Sequence, residues 1–206
     1  MSIFTPPGDA SLTMRAAEVK TQEINSEKIQ SIIDRMFQIA SGKRSDQRTM
    51  VGLAAPQIGI GKRIILVDTG FDTKKCTPGH FVVFINPEIL WYSGEIAYGH
   101  EGCFSVDSHI VGIVPRSVAI KIKAFDRQGK EIFKDYSNYT ARIFQHEVDH
   151  LNGIRFPDRV GSAGKLHWVE KSRNADYQKN WEKWDCPCPW DVWLAMKEGK
   201  PFTPPS

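Results

Sequence analysis

One short segment contains the residues best suited to chemistry. It reads His146-Glu147-Val148-Asp149-His150, which matches the pattern H-E-x-x-H. On a helix, residues four positions apart lie one above the other on the same face. Two neutral imidazoles can then bind one divalent cation while Glu147 acts as a base, as in hydrolytic metal sites. The alternative is a surface helix on which both histidines are solvated.

A catalytic metal site of this kind needs a third protein ligand. The downstream carboxylates of Asp158 and Glu170 are candidates. Cys103 is another, because it lies in the segment Glu101–Ser105 (EGCFS), where a loop cysteine between small and polar residues can present a thiolate. A buried cysteine is also often only a small apolar side chain. The residue types alone leave the third ligand open.

Small residues dominate another segment, Met50–Gly59, which follows a basic, polar connection at 42–49. Gly52 and its alanine neighbours allow the backbone to approach another element closely. Gln57 is the single polar side chain there and contains both a donor and an acceptor. The segment is expected to be a tight loop between a helix and a strand, with or without a functional role for Gln57.

The sequence predicts two helices that position the segments described above. Apolar residues recur at helical spacing after Asn25 or Ser26, either of which can cap the helix, and the pattern ends near Gly42. A second helix containing H-E-x-x-H is predicted over 139–152, with Gly153 placed to end it.

Runs of β-branched and aromatic residues predict strands. They cover 63–68, 81–86 (ended by Pro87), a bulged stretch at 88–98, and a hairpin of 118–125 with 131–133. Strands precede the second helix without regular alternation of strand and helix. This order predicts an α+β fold with mainly antiparallel sheets packed around the central metal-binding helix.

Composition indicates an ordinary globular protein of 206 residues, with 41% hydrophobic and 25% charged residues. A net charge of +3 is too small to indicate nucleic-acid binding. No signal peptide or membrane-spanning segment is expected, so a cytoplasmic location is the simplest interpretation. Four irregularly spaced cysteines fit a reducing compartment, and Cys186-Pro187-Cys188 lacks the spacing of a zinc knuckle.

The two ends of the chain differ from its middle. Residues 1–24 are expected to form an extended arm that wraps the domain. Lys, Asn, Trp and Pro become frequent after about Gly161, and four of the six tryptophans lie between Trp181 and Trp193. We predict one catalytic domain over 1–165 and an extension over 166–206, with a short helix near 192–197. The extension is expected to pack its aromatic residues on the domain, and the alternative is a docking patch for a partner.

Three of these segments together resemble, in order, the signature motifs of the peptide deformylase family. They are Gly52–Gln57 (GLAAPQ), Glu101–Ser105 (EGCFS) and Gln145–Leu151 (QHEVDHL). The resemblance covers about residues 10 to 160. It implies a metal-dependent hydrolase that removes the formyl group from the N-terminal formyl-methionine of new polypeptides. Nascent chains, and hence proximity to ribosomes, follow as the expected partners, without nucleic acid or membrane.

The resemblance also implies the site residues. The implied ligands of one ion per chain are Cys103, His146 and His150. Fe²⁺ is the usual metal, and Zn²⁺, Ni²⁺ or Co²⁺ can replace it. Glu147 is the implied base, and the implied oxyanion donors are the Gln57 amide and the backbone N–H of Phe104. The expected substrate-binding residues are Val51, Gly52, Glu101, Tyr139, Arg142 and Ile143.

Some positions differ from the family pattern, namely Met50, Phe104 and Val111, and they affect the expected shape of the substrate pocket. Asp149 is expected to be a structural partner of an arginine or a backbone N–H. Two other functions compete with deformylation. One is an ordinary H-E-x-x-H peptidase with a downstream third ligand, and the other is a non-catalytic metal-bearing module that binds N-terminal peptides.

Overall fold

The structure is a computed structural model that describes residues 3–42 and 49–205. Most of the predicted polar connection, residues 43–48, lies outside the described residues. The helices are α1 (Glu27–Ser41), α2 (Asn138–Leu151), α3 (Phe156–Val160), α4 (Asn174–Asn180) and α5 (Trp190–Lys197). The strands are β1 (Gly52–Ala54), β2 (Ile64–Asp68), β3 (Phe81–Tyr92), β4 (Ile96–Glu101), β5 (Ile110–Ser117), β6 (Ala119–Phe125), β7 (Glu131–Ser137) and β8 (Leu166–Trp168).

The strands form two antiparallel sheets. The larger sheet has the order β1-β2-β3-β6-β7, and the smaller one has the order β4-β5-β8. The prediction of an α+β fold with mainly antiparallel sheets is confirmed. The predicted hairpin is also confirmed as β6 and β7, although β7 extends to Ser137.

The larger sheet lies between two helices, which explains why all five residues of β2 are buried. Ile64 and Leu66 pack in the hydrophobic cluster that contains α1. The alternate residues Ile65 and Val67 pack in the cluster that contains α2. The side chain of Ser26 accepts a hydrogen bond from the N–H of Ile29, so the predicted cap of α1 is confirmed. The larger sheet therefore packs against α2 through Ile65 and Val67.

Pro87 does not end its strand. β3 continues from Phe81 to Tyr92, and the register shifts between Ile85 and Glu88. A bulge leaves one residue without a ladder partner, so a proline without an N–H is tolerated there. The prediction that Pro87 ends the strand is therefore wrong. The predicted bulged stretch at 88–98 is divided between β3 and β4 by a turn around Gly94.

The N-terminal arm wraps the domain, as predicted. The N–H of Thr5 donates to the carbonyl of Gln57 at 2.9 Å, and that of Ala16 donates to the carbonyl of Leu151 at 2.9 Å. Two short 3-10 turns, Ala10–Thr13 and Thr21–Glu23, interrupt it. The arm thus contacts both the Gln57 turn and the end of α2.

The C-terminal segment, from residue 166 onward, packs its aromatic residues on the rest of the chain, as predicted. Trp193 is 0% exposed and Trp168 is 5% exposed. The predicted short helix is confirmed as α5. The predicted domain boundary between residues 165 and 166 falls directly before β8, which pairs with β5. The division into a domain and an extension stays a prediction.

Within the described ranges, no helix combines the length and the apolar character needed to cross a bilayer.

Gly153, at the end of α2, provides a test of how the arm packs. Its φ is +72°, and an added Cβ would overlap the carbonyl oxygen of Thr13. We expect Gly153→Ala to lower the free energy of unfolding by about 2–4 kcal/mol, since backbone strain and steric overlap add. Gly129→Ala shares the positive φ without the overlap and should cost about 1 kcal/mol. Urea denaturation measures both, and equal losses would contradict the packing of the arm on Gly153.

Candidate metal centre

The structure brings the three predicted ligands together. The ligand atoms of Cys103, His146 and His150 all lie within 4.8 Å of one another. The Sγ of Cys103 lies 3.2 Å from Nε2 of His150. Cys103 belongs to the loop 102–109 between β4 and β5, whereas both histidines lie on one face of α2. Helical spacing aligns the histidines, and the smaller sheet brings the cysteine to them.

The donor set suits a divalent transition metal. Thiolates are ligands for zinc, copper(I) and iron–sulfur centres, and imidazoles suit zinc, copper, iron and nickel. Burial alone would raise the pKa of the Cys103 thiol, but the imidazoles of His150 and His146 outweigh it and hold that pKa well below its usual range. The thiolate is the form that binds metal. Two buried polar atoms that have no hydrogen-bond partner among the described residues, His150 Nδ1 and Glu147 Oε2, also lie in this region. The residues present therefore fit one cation.

The downstream carboxylates lie elsewhere. Asp158 accepts hydrogen bonds from Trp193 Nε1 at 3.1 Å and from Lys197 Nζ at 2.7 Å. Glu170 accepts one from Trp168 Nε1 at 2.9 Å. Within the described part of the chain, neither belongs to the group that could hold a metal.

Glu101 orients one of the histidines. Its Oε2 lies 2.9 Å from Nδ1 of His146, so the other ring nitrogen of His146 is left for a metal. Arg116 contacts both oxygens of this carboxylate at 3.0 Å, and Arg142 donates to Oε1 at 2.7 Å. Burial alone would raise the pKa of Glu101, but His146 and Arg116 outweigh it and hold that pKa well below its usual value. Glu101 is therefore a buried anion whose partners are two arginines and one imidazole.

Asp149 extends this network, and the prediction that it is a structural partner of an arginine is confirmed. Arg116 donates to Asp149 Oδ2 at 2.6 Å, and Arg159 donates to the same carboxylate. Arg116 thus joins Glu101 of β4 to Asp149 of α2. The sequence predicted an arginine partner for Asp149 but not its connection through Arg116 to Glu101, for which a cation within the apolar strand at Ile110–Ser117 was a signal.

Glu147 lies against the strand β1. Its side chain is buried, and burial raises its pKa to about 7. An added Cβ at Gly52 would overlap the carboxylate of Glu147. The glycine is therefore required for the close approach of β1 to α2. The expectation that this segment is only a loop is wrong, because Gly52–Ala54 pairs with β2 as a strand.

Gln57 lies beside the thiolate in a 3-10 turn over Ala55–Ile58. Its Oε1 accepts a hydrogen bond from the N–H of Ala54 at 2.7 Å. Its Nε2 donates to Cys103 Sγ at 3.4 Å. The backbone bond fixes which end of the amide faces the metal centre, so the Nε2 end of Gln57 is directed toward the Cys103 sulfur.

The predicted substrate-binding residues lie mainly along α2 and β1. Val51 packs against the hydrophobic cluster that contains the buried Ile143. Tyr139 is 37% exposed at the first turn of α2. The guanidinium of Arg142 is held by the carbonyls of Val114 at 2.9 Å and Ala97 at 2.7 Å. Val51, Tyr139 and Arg142 are therefore partly exposed, whereas Ile143 is buried.

The residues that depart from the family pattern have clear positions. Met50 is buried in the cluster beneath α1. The ring of Phe104 stacks on Phe4 of the N-terminal arm at 4.9 Å. Val111 pairs with His167 of β8. Phe104 thus contacts the N-terminal arm, and Val111 contacts the C-terminal strand β8.

Comparison with known proteins identifies close relatives. The polypeptide deformylase family model matches residues 2–165. A peptide deformylase of Brachyspira hyodysenteriae is 41% identical over 147 residues, which are 71% of this chain and 74% of that protein. One from Oceanobacillus iheyensis is 35% identical over 175 residues, 80% of this chain and 92% of that protein. The Met-Ala-Ser-bound structure of class I type b peptide deformylase from Acinetobacter baumannii has a TM-score of 0.67 at 37% identity, covering 76% of this chain and 96% of that one.

The buried network around Glu101 makes a prediction about stability. Glu101→Gln removes the anion that Arg116, Arg142 and His146 share, so we expect the free energy of unfolding to fall by about 3–5 kcal/mol. Asp135→Asn breaks the exposed pair of Asp135 with Lys121 and should cost less than about 1 kcal/mol. Urea denaturation compares the two variants. Similar small losses in both would show that the Glu101 network does not stabilise the fold.

Proposed function

Because the chain belongs to the polypeptide deformylase family, we propose how its own residues remove the formyl group from N-terminal formyl-methionine. The reaction adds water across the formyl amide and releases formate and a free α-amino group. The observation that supports the assignment most is the convergence of Cys103, His146 and His150 beside Glu147 and Gln57.

Cys103, His146 and His150 hold the metal in this proposal, and Fe²⁺ is the ion we assign, one per chain. A thiolate and two neutral imidazoles leave a formal charge of +1 on a divalent centre. When bound, the cation polarises the formyl group and makes water more acidic. Glu101 keeps His146 in the tautomer whose free nitrogen faces the ion.

Glu147 is the base. Its position next to His146 on α2 places a carboxylate beside the reacting atoms. Burial, which raises its pKa to about 7, makes it able both to accept and to return a proton near neutral pH. In the forward reaction it accepts a proton from the attacking water. It then passes that proton to the departing α-amine.

Gln57 and Phe104 stabilise the oxyanion. The reaction places negative charge on the formyl oxygen, and donors that are already oriented lower the barrier most. The hydrogen bond from Ala54 to Gln57 Oε1 supports this role, since it directs the amide N–H groups of Gln57 into the site. The backbone N–H of Phe104 is the second donor, next to Cys103 in the chain.

The substrate peptide lies along β1. This strand is at the edge of its sheet, so its outer side is available for backbone hydrogen bonds, and its residue Gly52 packs against the Glu147 carboxylate. The methionine side chain then meets the apolar surfaces of Val51, Ile143 and Tyr139 and the carbon stem of Arg142. Glu101 flanks this surface, and its carboxylate acts through His146 because its oxygens are already occupied.

The alternative functions have less support. A peptidase with a downstream third ligand would need Asp158 or Glu170, and both carboxylates bind other groups. A binding module without catalysis would not need a buried base at Glu147. We place the enzyme in the cytoplasm, close to ribosomes, where formylated chains emerge.

The role of Glu147 is tested by Glu147→Gln. The amide cannot accept the proton from water, while the metal ligands are unchanged. We expect formate release from a formyl-methionyl peptide to fall by about 10²- to 10⁴-fold, with metal content equal to that of the wild type. Glu131→Gln, at an exposed site on β7, is the matched control and should keep full turnover. Near-normal turnover in Glu147→Gln would remove Glu147 from the mechanism.

The thiolate ligand is tested by Cys103→Ala. Loss of one of three ligands should leave the purified protein with a small fraction of the wild-type metal, measured by elemental analysis after anaerobic purification. Cys76→Ala removes an exposed thiol and should retain the metal. Full metal occupancy in Cys103→Ala is the result that contradicts this ligand.

A further inference from the structure

We infer that the C-terminal segment 166–197 is part of the metal centre's support, with Trp168 and Trp193 as positioning residues. Trp168 acts on the loop that contains Cys103, and Trp193 acts on the chain that follows His150. This inference rests on the proposed function, because it takes Cys103 and His150 to be metal ligands.

The metal-binding loop and the C-terminal segment share one hydrophobic cluster. Its members include Cys103, Val106, Phe156, Trp168, Trp193 and Met196. The last three belong to the C-terminal segment. Each of these six side chains is at most 7% exposed. The thiol therefore packs in a core that the C-terminal segment completes, and removing a large side chain from that core alters the surroundings of the thiol.

The loop 102–109 is anchored by three contacts with the C-terminal segment. The N–H of Val169 donates to the carbonyl of His109 at 2.7 Å. The rings of His109 and Trp168 stack at 4.9 Å with an interplanar angle of 11°. The N–H of Asp107 donates to Sδ of Met196 at 3.4 Å. These contacts fix the loop at four and six residues beyond Cys103.

The orientation of Trp168 and His109 is itself fixed. The indole N–H of Trp168 donates to Glu170 Oε1 at 2.9 Å. The Nδ1 of His109 lies 2.7 Å from Asp107 Oδ1, which also accepts from the backbone N–H of His109. Asp107, His109 and Trp168 thus form a continuous series of contacts from the loop to the C-terminal segment.

The chain beyond His150 is held by Trp193. The guanidinium of Arg155 lies 4.5 Å from the ring centre of Trp193, and both side chains are fully buried. The indole N–H of Trp193 donates to Asp158 Oδ1 at 3.1 Å, and Lys197 donates to the same oxygen. Residues five and eight positions after His150 are therefore tied to α5.

The contacts made by the C-terminal segment matter because the ligands come from two separate elements, the loop 102–109 and the helix α2. A loop that moves away from α2 separates the thiolate from the imidazoles, and metal loss becomes faster. Partners beyond the ligands typically change metal affinity by about 10- to 100-fold. The C-terminal segment contacts the loop that contains Cys103 and the chain that directly follows α2.

The test uses the full-length protein loaded with Co²⁺, whose thiolate-to-metal absorption reports the bond from Cys103. His109→Ala and Trp168→Leu should each lose metal to a chelator about 10-fold faster than the wild type, and the double variant should lose it no faster than Trp168→Leu. Trp168→Phe keeps an aromatic ring on His109 and should restore most of the retention. Ile33→Val, in the cluster beneath α1, is a control for a small loss of stability.

The outcomes separate this inference from the proposed function. All rates of metal loss are measured at temperatures well below the unfolding midpoint of each variant. The side chain of His109 is half-buried, so His109→Ala keeps the test valid if Trp168→Leu folds poorly. Wild-type retention in His109→Ala and Trp168→Leu, or loss no faster than in Ile33→Val, would overturn the positioning role. Metal retention in Cys103→Ala would instead overturn the ligand assignment.

Discussion

The candidate metal centre is built around the buried carboxylate of Glu101. A charge removed from water is costly, and the cost is offset only when several well-placed partners surround it. Arg116, Arg142 and His146 provide these partners from β5 and α2. The same carboxylate therefore joins the small sheet to the central helix and sets the orientation of one metal ligand. Stability and ligand geometry depend on one group.

A second constraint is the approach of β1 to α2. Glu147 is buried against Gly52, and no larger residue fits there without displacing the carboxylate. This contact excludes solvent from the Glu147 carboxylate and brings β1, the edge strand of the larger sheet, next to it. The small residues of the segment therefore have a physical purpose, which in the proposed mechanism is to let a substrate strand, the base Glu147 and the metal ligands lie close together. Gln57 follows directly and is oriented by the same turn.

The parts of the site that are local in sequence could be predicted, whereas the parts that depend on pairing could not. Helical spacing aligned His146 with His150, and a cap and a glycine marked the ends of α1 and α2. The connection of Glu101 through Arg116 to Asp149 joins residues from two elements, and no local pattern specifies it. The prediction that Pro87 ends its strand was wrong for the same reason, because a bulge depends on the partner strand. The three-residue strands β1 and β8 are too short for a period-2 pattern to detect.

In the proposed site, one thiolate and two imidazoles bind a single ion. X-ray absorption at the metal edge of the Zn²⁺-loaded, full-length protein measures these ligands. We expect one sulfur neighbour at about 2.3 Å and two imidazole nitrogens at about 2.0–2.1 Å. A first shell without sulfur, or with a third imidazole in its place, would contradict it.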